Sequence, residues 1–238
     1  MLQTALRLAL AASIAPSAVA LAQCPANQIG GYFGPSGAPI YAASYRDSSC
    51  TNVPPPCDQR WRTIWDLAAG DAFCEGHTTC DSEIPIPGDV GLFTADDYVL
   101  TGPASPDPIS FNAVLHVSGY STEGCHLDCT CGLGCCTVCS YGSLAASLQE
   151  GTQVANAPAA SSQNSDLQVA LSKSVGQHFQ LAMTLRAAPA CNAYAQLSSH
   201  LTFNLPPGYG IQSCYGYASP APTAVLRANW GHVKALYR

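Results

Sequence analysis

The chain has 238 residues, 47% of them hydrophobic, with 13 cysteines and a formal net charge of −6 that includes only nine Lys plus Arg. So few cations leave no electrostatic footprint for nucleic acid or for an anionic membrane surface, which disfavours nucleic acid as a partner. The length suits one principal hydrophobic core rather than several.

At the N-terminus, MLQTALR carries a single charge, Arg7, and is followed by the apolar, small-residue run LALAASIAPSAVALA, which ends in Ala20-Leu21-Ala22. This is the pattern of a secretory signal with an A-x-A cleavage site, so residues 1–22 are read as a signal peptide. The mature chain is then expected to be secreted or held at the cell surface, with the periplasm as a further possibility. The apolar run falls short of the roughly 20 residues of a membrane helix, and no later stretch reaches that length, so no membrane span is expected. Cys24 stands where bacterial lipoproteins carry their lipidated residue, but the preceding Gln23 is larger than a lipobox wants. Cys24 is therefore read as a disulfide cysteine, with lipidation as the alternative.

Residues 23–90 form a Cys/Pro/Gly-rich segment, punctuated by GPSGAP, NVPPPC and IPIPGD, and predict an irregular, disulfide-rich layer packed on the main body. One helix is predicted in it, over 58–69. Asp58 can cap a stretch in which Trp61, Ile64, Trp65 and Ala68 recur at helical spacing, and Gly70 can stop it. From about residue 91 the period changes to two. Phe111, Ala113, Leu115 and Val117 alternate with Asn112, Val114, His116 and Ser118. The same alternation recurs through Leu144, Ala146 and Leu148; Leu167, Val169 and Leu171; Phe179, Leu181, Met183 and Leu185; and Leu197, Ser199, Leu201, Phe203 and Leu205. These segments, separated by turn-forming stretches, predict an all-β, antiparallel β-sandwich or jelly roll over 91–222. Residues 223–238 are read as a tail whose segment 230–237 forms a short helix capped by Asn229.

The run CHLDCTCGLGCCTVC places six cysteines between Cys125 and Cys139, inserted between a strand ending near Tyr120 and one starting near Ser143. The spacing is nearly symmetric about Leu133, with Cys131 facing Cys135, Cys129 facing Cys136 and Cys125 facing Cys139. A hairpin would bring such pairs within disulfide reach. A stapled finger is the expected form, since exported thiols meet oxidants. The competing reading is a thiolate metal cluster, for which Cys136-x2-Cys139 and Cys129-x-Cys131 would be ligands. Cys74-Glu-Gly-His77-Thr-Thr-Cys80 raises the same question. No metal is expected at either place, because the paired C-x2-C knuckles of a zinc site are missing. The other disulfide cysteines expected are Cys24, Cys50, Cys57, Cys74, Cys80, Cys191 and Cys214.

No catalytic residues are assigned, and no cofactor is implied. His77, His116, His126, His178, His200 and His232 sit in no recognised catalytic signature, and His116 and His200 fall on the outward face of predicted strands. Asp58, Asp66, Asp71 and Glu75 could in principle supply a glycosidase pair, but sequence gives no separation between them. Trp61 and Trp65, one helical turn apart, form a possible platform for a sugar, or else anchor the helix to the core. Asp96 and Asp97, placed at the mouth of a strand, could bind calcium with loop carbonyls.

The order GLFTADDYVLTGPASPDPISFNAVLHVSG, a cysteine-rich insert, YGSLAASLQEG, GQHFQLAMTLRA, LTFNLPPGYGIQSCYGY and NWGHVKALYR resembles a group of uncharacterised secreted β-sandwich proteins of environmental bacteria. The resemblance covers roughly residues 91–238 and implies a signal peptide, a sandwich fold and an extracellular location; it carries over no functional residue. Together these readings predict an exported, non-enzymatic β-sandwich acting as a surface, matrix or adhesion component. The alternatives are a carbohydrate- or calcium-dependent binding module and, behind it, a secreted hydrolase. The residues assign no partner; an extracellular glycan or a surface protein is the candidate class.

Overall fold

Alternating burial governs the path of the chain. The structure is a computed structural model that describes residues 29–33, 44–53, 57–80, 90–128 and 136–219, with side chains over 62–79, 90–125 and 137–219. Fifteen strands run through these residues, and no helix is found among them. They are β1 (Ile29–Phe33), β2 (Ser44–Val53), β3 (Cys57–Asp66), β4 (Asp71–Cys80), β5 (Val90–Thr101), β6 (Ile109–Ser121), β7 (Glu123–Asp128) and β8 (Cys136–Tyr141). β9 (Ser143–Glu150), β10 (Gln153–Ala160), β11 (Ser162–Lys173), β12 (His178–Ala188), β13 (Ala193–Asn204), β14 (Gly210–Ser213) and β15 (Ala218–Ser219) follow.

Two antiparallel sheets face each other as a β-sandwich. One has the order β10-β9-β12-β5-β14-β15, with β1 also pairing β5; the other has the order β11-β6-β13-β4-β3-β2. Their inner faces are the alternating sets read from the sequence: Phe111, Leu115 and Val117 of β6, Leu144 and Leu148 of β9, Leu181 and Leu185 of β12, Leu197 and Leu201 of β13 are all buried. Aromatic rings tie the sheets together at one level. Tyr98 of β5 lies 5.8 Å from Phe179 and 5.4 Å from Phe203 between ring centroids, and Phe111 lies 6.0 Å from Phe179.

The N-terminal part departs from expectation. Residues 57–66 form a strand and 67–70 a turn, so there is no helix over 58–69. The helical spacing of Trp61, Ile64, Trp65 and Ala68 was outweighed by a two-residue period in which Thr63, Trp65 and Leu67 are buried. Polar Thr63 hides that period in the sequence, while the β-branched and aromatic residues around it favour a strand paired on both sides. The strand ends at Asp66 rather than at Gly70, which instead closes the following turn at φ 76°, with Ala69 N–H donating to Asp66 Oδ1. The segment expected to be irregular supplies β1 to β4, and β2 to β4 complete half of the six-stranded sheet. Strand β10 carried no alternation because it is a mostly exposed edge strand, where Pro158 and a register shift are tolerated. The helix expected over 230–237 lies outside the described residues.

The finger is present where expected, as the antiparallel pair β7–β8 between β6 and β9. Cys125 pairs with Cys139 in the ladder and is disulfide-bonded to it, with Cα atoms 4.1 Å apart. The constant register sets Cys136 opposite Asp128 rather than Cys129, because the symmetry about Leu133 slips by one position away from the base. Cys129, Cys131 and Cys135 lie outside the described residues. At the base, a Cβ on Gly124 or Gly142 would run into the carbonyl oxygen of Cys191 or Ala188, so the finger rests directly on the β12–β13 connection. Asn192, at φ 57°, donates from Nδ2 to the Cys125 carbonyl at 2.7 Å.

Strand β5 contains the one buried acid of the sandwich among the described residues. Asp96 is 1% exposed, on the inner face with Tyr98 and Leu100, and lies mid-strand rather than at a strand mouth. Burial pushes its carboxyl up to about 6, against the lowering effect of hydrogen bonds from the Ser213 hydroxyl and the Asp97 amide. Ser213 Oγ in turn accepts the amides of Tyr215 and Tyr217, so the carboxyl pins the turn that closes β14 onto β15. Asp96 is therefore a structural group and not part of a calcium loop.

Two outcomes follow. Cys125→Ser should lower stability by about 2–3 kcal/mol, as expected for opening a loop of this length, read as a shifted denaturation midpoint. The folded state holds the Asp96 proton to higher pH than the unfolded chain does, so its contribution is full below about pH 4 and is lost as pH rises through 6. Asp96→Asn should gain on the parent by on the order of 2–3 kcal/mol between pH 4 and pH 7 in urea melts, with no gain at pH 4.

Candidate functional site: the outer face of the six-stranded sheet

Burying one set of side chains on β11, β6, β13, β4 and β3 turns the other set outward, and registration aligns them in rows. In the first row Asp166 of β11 stands opposite His116 of β6, His116 opposite His200 of β13, and His200 opposite Asp71 of β4. His116 Nδ1 lies 2.7 Å from Asp166 Oδ1, and His200 Nδ1 lies 2.7 Å from Asp71 Oδ1. The carboxylates accept only, so each imidazole donates from Nδ1 and presents a bare Nε2 when neutral. His116 Nε2 accepts from Thr202 Oγ1 at 3.0 Å, and the two rings lie near parallel with centroids 6.5 Å apart.

In the next row, Ser118 and Ser198 share a 3.0 Å hydrogen bond between hydroxyls. Beyond it, Tyr120, Gln196, Glu75 and Arg62 stand side by side on β6, β13, β4 and β3. The Tyr194 hydroxyl donates to Glu75 Oε2 at 2.6 Å and lies 2.8 Å from Gln196 Oε1. Burial first, and the Glu75 hydrogen bond second, hold the Tyr194 phenol above its ordinary range. Arg62 pairs with Glu75 at 3.7 Å and lies over the Phe73 ring. Tyr120, 48% exposed, packs on Tyr194 with centroids 5.9 Å apart. The face is thus a fixed array of hydroxyls, amides, carboxylates and imidazoles with an open aromatic ring at one end. At the other end of β6, a cleft of about 500 Å3 is lined by Asn112, Gln153 and the Glu150–Lys173 ion pair, whose closest atoms are 2.7 Å apart.

Thr202, His116 and Asp166 have the connectivity of nucleophile, base and orienting carboxylate. Acyl transfer also needs unspent donors for an oxyanion. Here the amides are engaged: Leu201 N–H donates to the Gly70 carbonyl, and Thr202 is paired with Val114 in the ladder. The arrangement orients imidazoles and offers hydrogen bonds.

The residues singled out from sequence are distributed differently. Trp65 is 1% exposed and belongs to the core, so it is no sugar platform; burial of its large ring in an inward strand position is the stronger demand. Trp61 lies on β3 opposite Gly76. Cys191 and Cys214 are disulfide-bonded, and Cys74 is buried in the core. Cys57 stands opposite Cys80 and Cys50 opposite Arg60 in the strand registers, while Cys24 lies outside the described residues. Among the acids Asp58, Asp66, Asp71 and Glu75, Asp71 and Glu75 join the face through His200 and Tyr194. Asp97 instead binds His178 at 2.6 Å on the other sheet. Tyr120, Tyr194, Arg62 and Gln196 were missed. One available signal was the scarcity of acids after residue 130, where only Glu150 and Asp166 occur, the first paired with Lys173 and the second hydrogen-bonded to His116.

No family model and no curated protein matches the chain.

Tyr194→Phe removes the hydroxyl held by Glu75 while keeping the ring under Tyr120. It should cost about 1 kcal/mol in unfolding free energy, with near-native circular dichroism.

Proposed function

We propose that the protein is an exported, non-enzymatic surface or matrix component that attaches to an extracellular glycan through the outer face of its six-stranded sheet. The observation that carries this reading is the placement of exposed Tyr120 beside a hydrogen-bonded field of donors and acceptors on one face of the sheet. A saccharide presents apolar C–H faces and a rim of hydroxyls that both donate and accept. Tyr120 and Tyr194 match the first, and Gln196, Glu75, Ser118, Ser198, His116 and His200 match the second. The side chains are already held by one another, so little conformational entropy opposes binding. The signal-like N-terminus and the resemblance to secreted sandwich proteins support export.

Retention on a panel of insoluble polysaccharides, followed by titration with the matching oligosaccharide, tests the reading. Tyr120→Ala should keep the fold, because the ring is half exposed, and should weaken binding by about tenfold or more. Unchanged affinity in that variant, or no retention on any glycan, would overturn it.

A further inference from the structure

We infer that His116 and His200 form a two-imidazole site for a divalent transition metal of the copper–zinc type, with water completing the coordination. Four observations lead there. The two histidines are directly opposite on neighbouring antiparallel strands, the placement that brings Cβ atoms to about 4.5–5.5 Å. Both are about half exposed, so a hydrated cation reaches them from solvent. Each Nδ1 is spent on a carboxylate at 2.7 Å, which fixes the tautomer and leaves Nε2 as the lone-pair nitrogen. His116 Nε2 is turned toward β13, the strand that carries His200, where it meets Thr202 Oγ1.

A carboxylate on the far nitrogen is what metal-binding histidines ordinarily have: it orients the ring and raises its basicity. Asp166 and Asp71 supply this on both sides of the pair. Imidazole nitrogen suits copper(II), zinc and nickel, whereas calcium and magnesium prefer oxygen. No three metal-ligating side chains converge among the described residues, so the protein contributes two ligands and the metal stays exchangeable. To close on a cation, the near-parallel rings, now 6.5 Å apart, tilt toward each other, and His116 exchanges Thr202 for the metal. The site shares the face described above but does not rest on glycan binding, because its test reads the metal alone.

The test is copper(II) titration of the full mature protein near pH 7.5, followed by calorimetry and by electron paramagnetic resonance. One stoichiometric, chelator-removable equivalent is expected, with hyperfine structure from two nitrogens. His116→Ala and His200→Ala should each weaken binding at least tenfold, and Asp166→Asn or Asp71→Asn by about ten- to hundredfold. Circular dichroism of each variant should match the parent, since all four side chains are exposed. Copper bound at parental strength in either histidine variant, a nitrogen count other than two, or no stoichiometric binding would overturn the assignment.

Discussion

The polar face exists because Leu115 and Leu201 are buried opposite each other between the two sheets. In a pleated strand each residue turned inward sends its neighbours outward, so burying this pair commits His116 and His200 to the outer surface. The same rule fixes Phe203 opposite Ala113 inside and Ser198 opposite Ser118 outside. A slip of one residue between β6 and β13 would put imidazoles in the core and leucines in water. Each buried leucine contributes roughly 1.5–3 kcal/mol, so the core holds the register far more firmly than the outer hydrogen bonds do.

The outer rows also depend on the finger. Thr122, the residue between β6 and β7, accepts the Tyr194 amide at its hydroxyl and donates its own amide to the Tyr194 carbonyl. The base of the disulfide hairpin and the aromatic end of the face are therefore one joined unit. Function borne on loops commonly relies on such a rigid base; here the aligned outward side chains stand on the strands themselves.

Asp96 shows the opposite balance. Its inward position costs free energy when charged, and that cost is only partly offset by anchoring Ser213 and the turn through Tyr217, whose ring packs 5.5 Å from Phe203. Two adjacent acids in β5, Asp96 and Asp97, thus meet different fates because neighbours on a strand face opposite ways. One closes a turn from within, and the other holds His178 on the outer surface of the second sheet.

By itself the sequence determined the all-β class, the inward residues of β6, β9, β11, β12 and β13, the finger between β6 and β9, and the outward placement of His116 and His200. Those features rest on a period of two residues and on local turn and cysteine spacing, all of which are written along the chain. It misled over residues 58–69, where a polar inward residue, Thr63, broke the apolar alternation and left a helical spacing standing. Only the tertiary structure decided that Asp166, 50 residues away, would meet His116, and that Asp71, 129 residues away, would meet His200. It likewise decided that Trp65 would be core. Strand order and register are set by how two whole sheets bury their apolar faces together, and no local pattern encodes which distant strand becomes the neighbour.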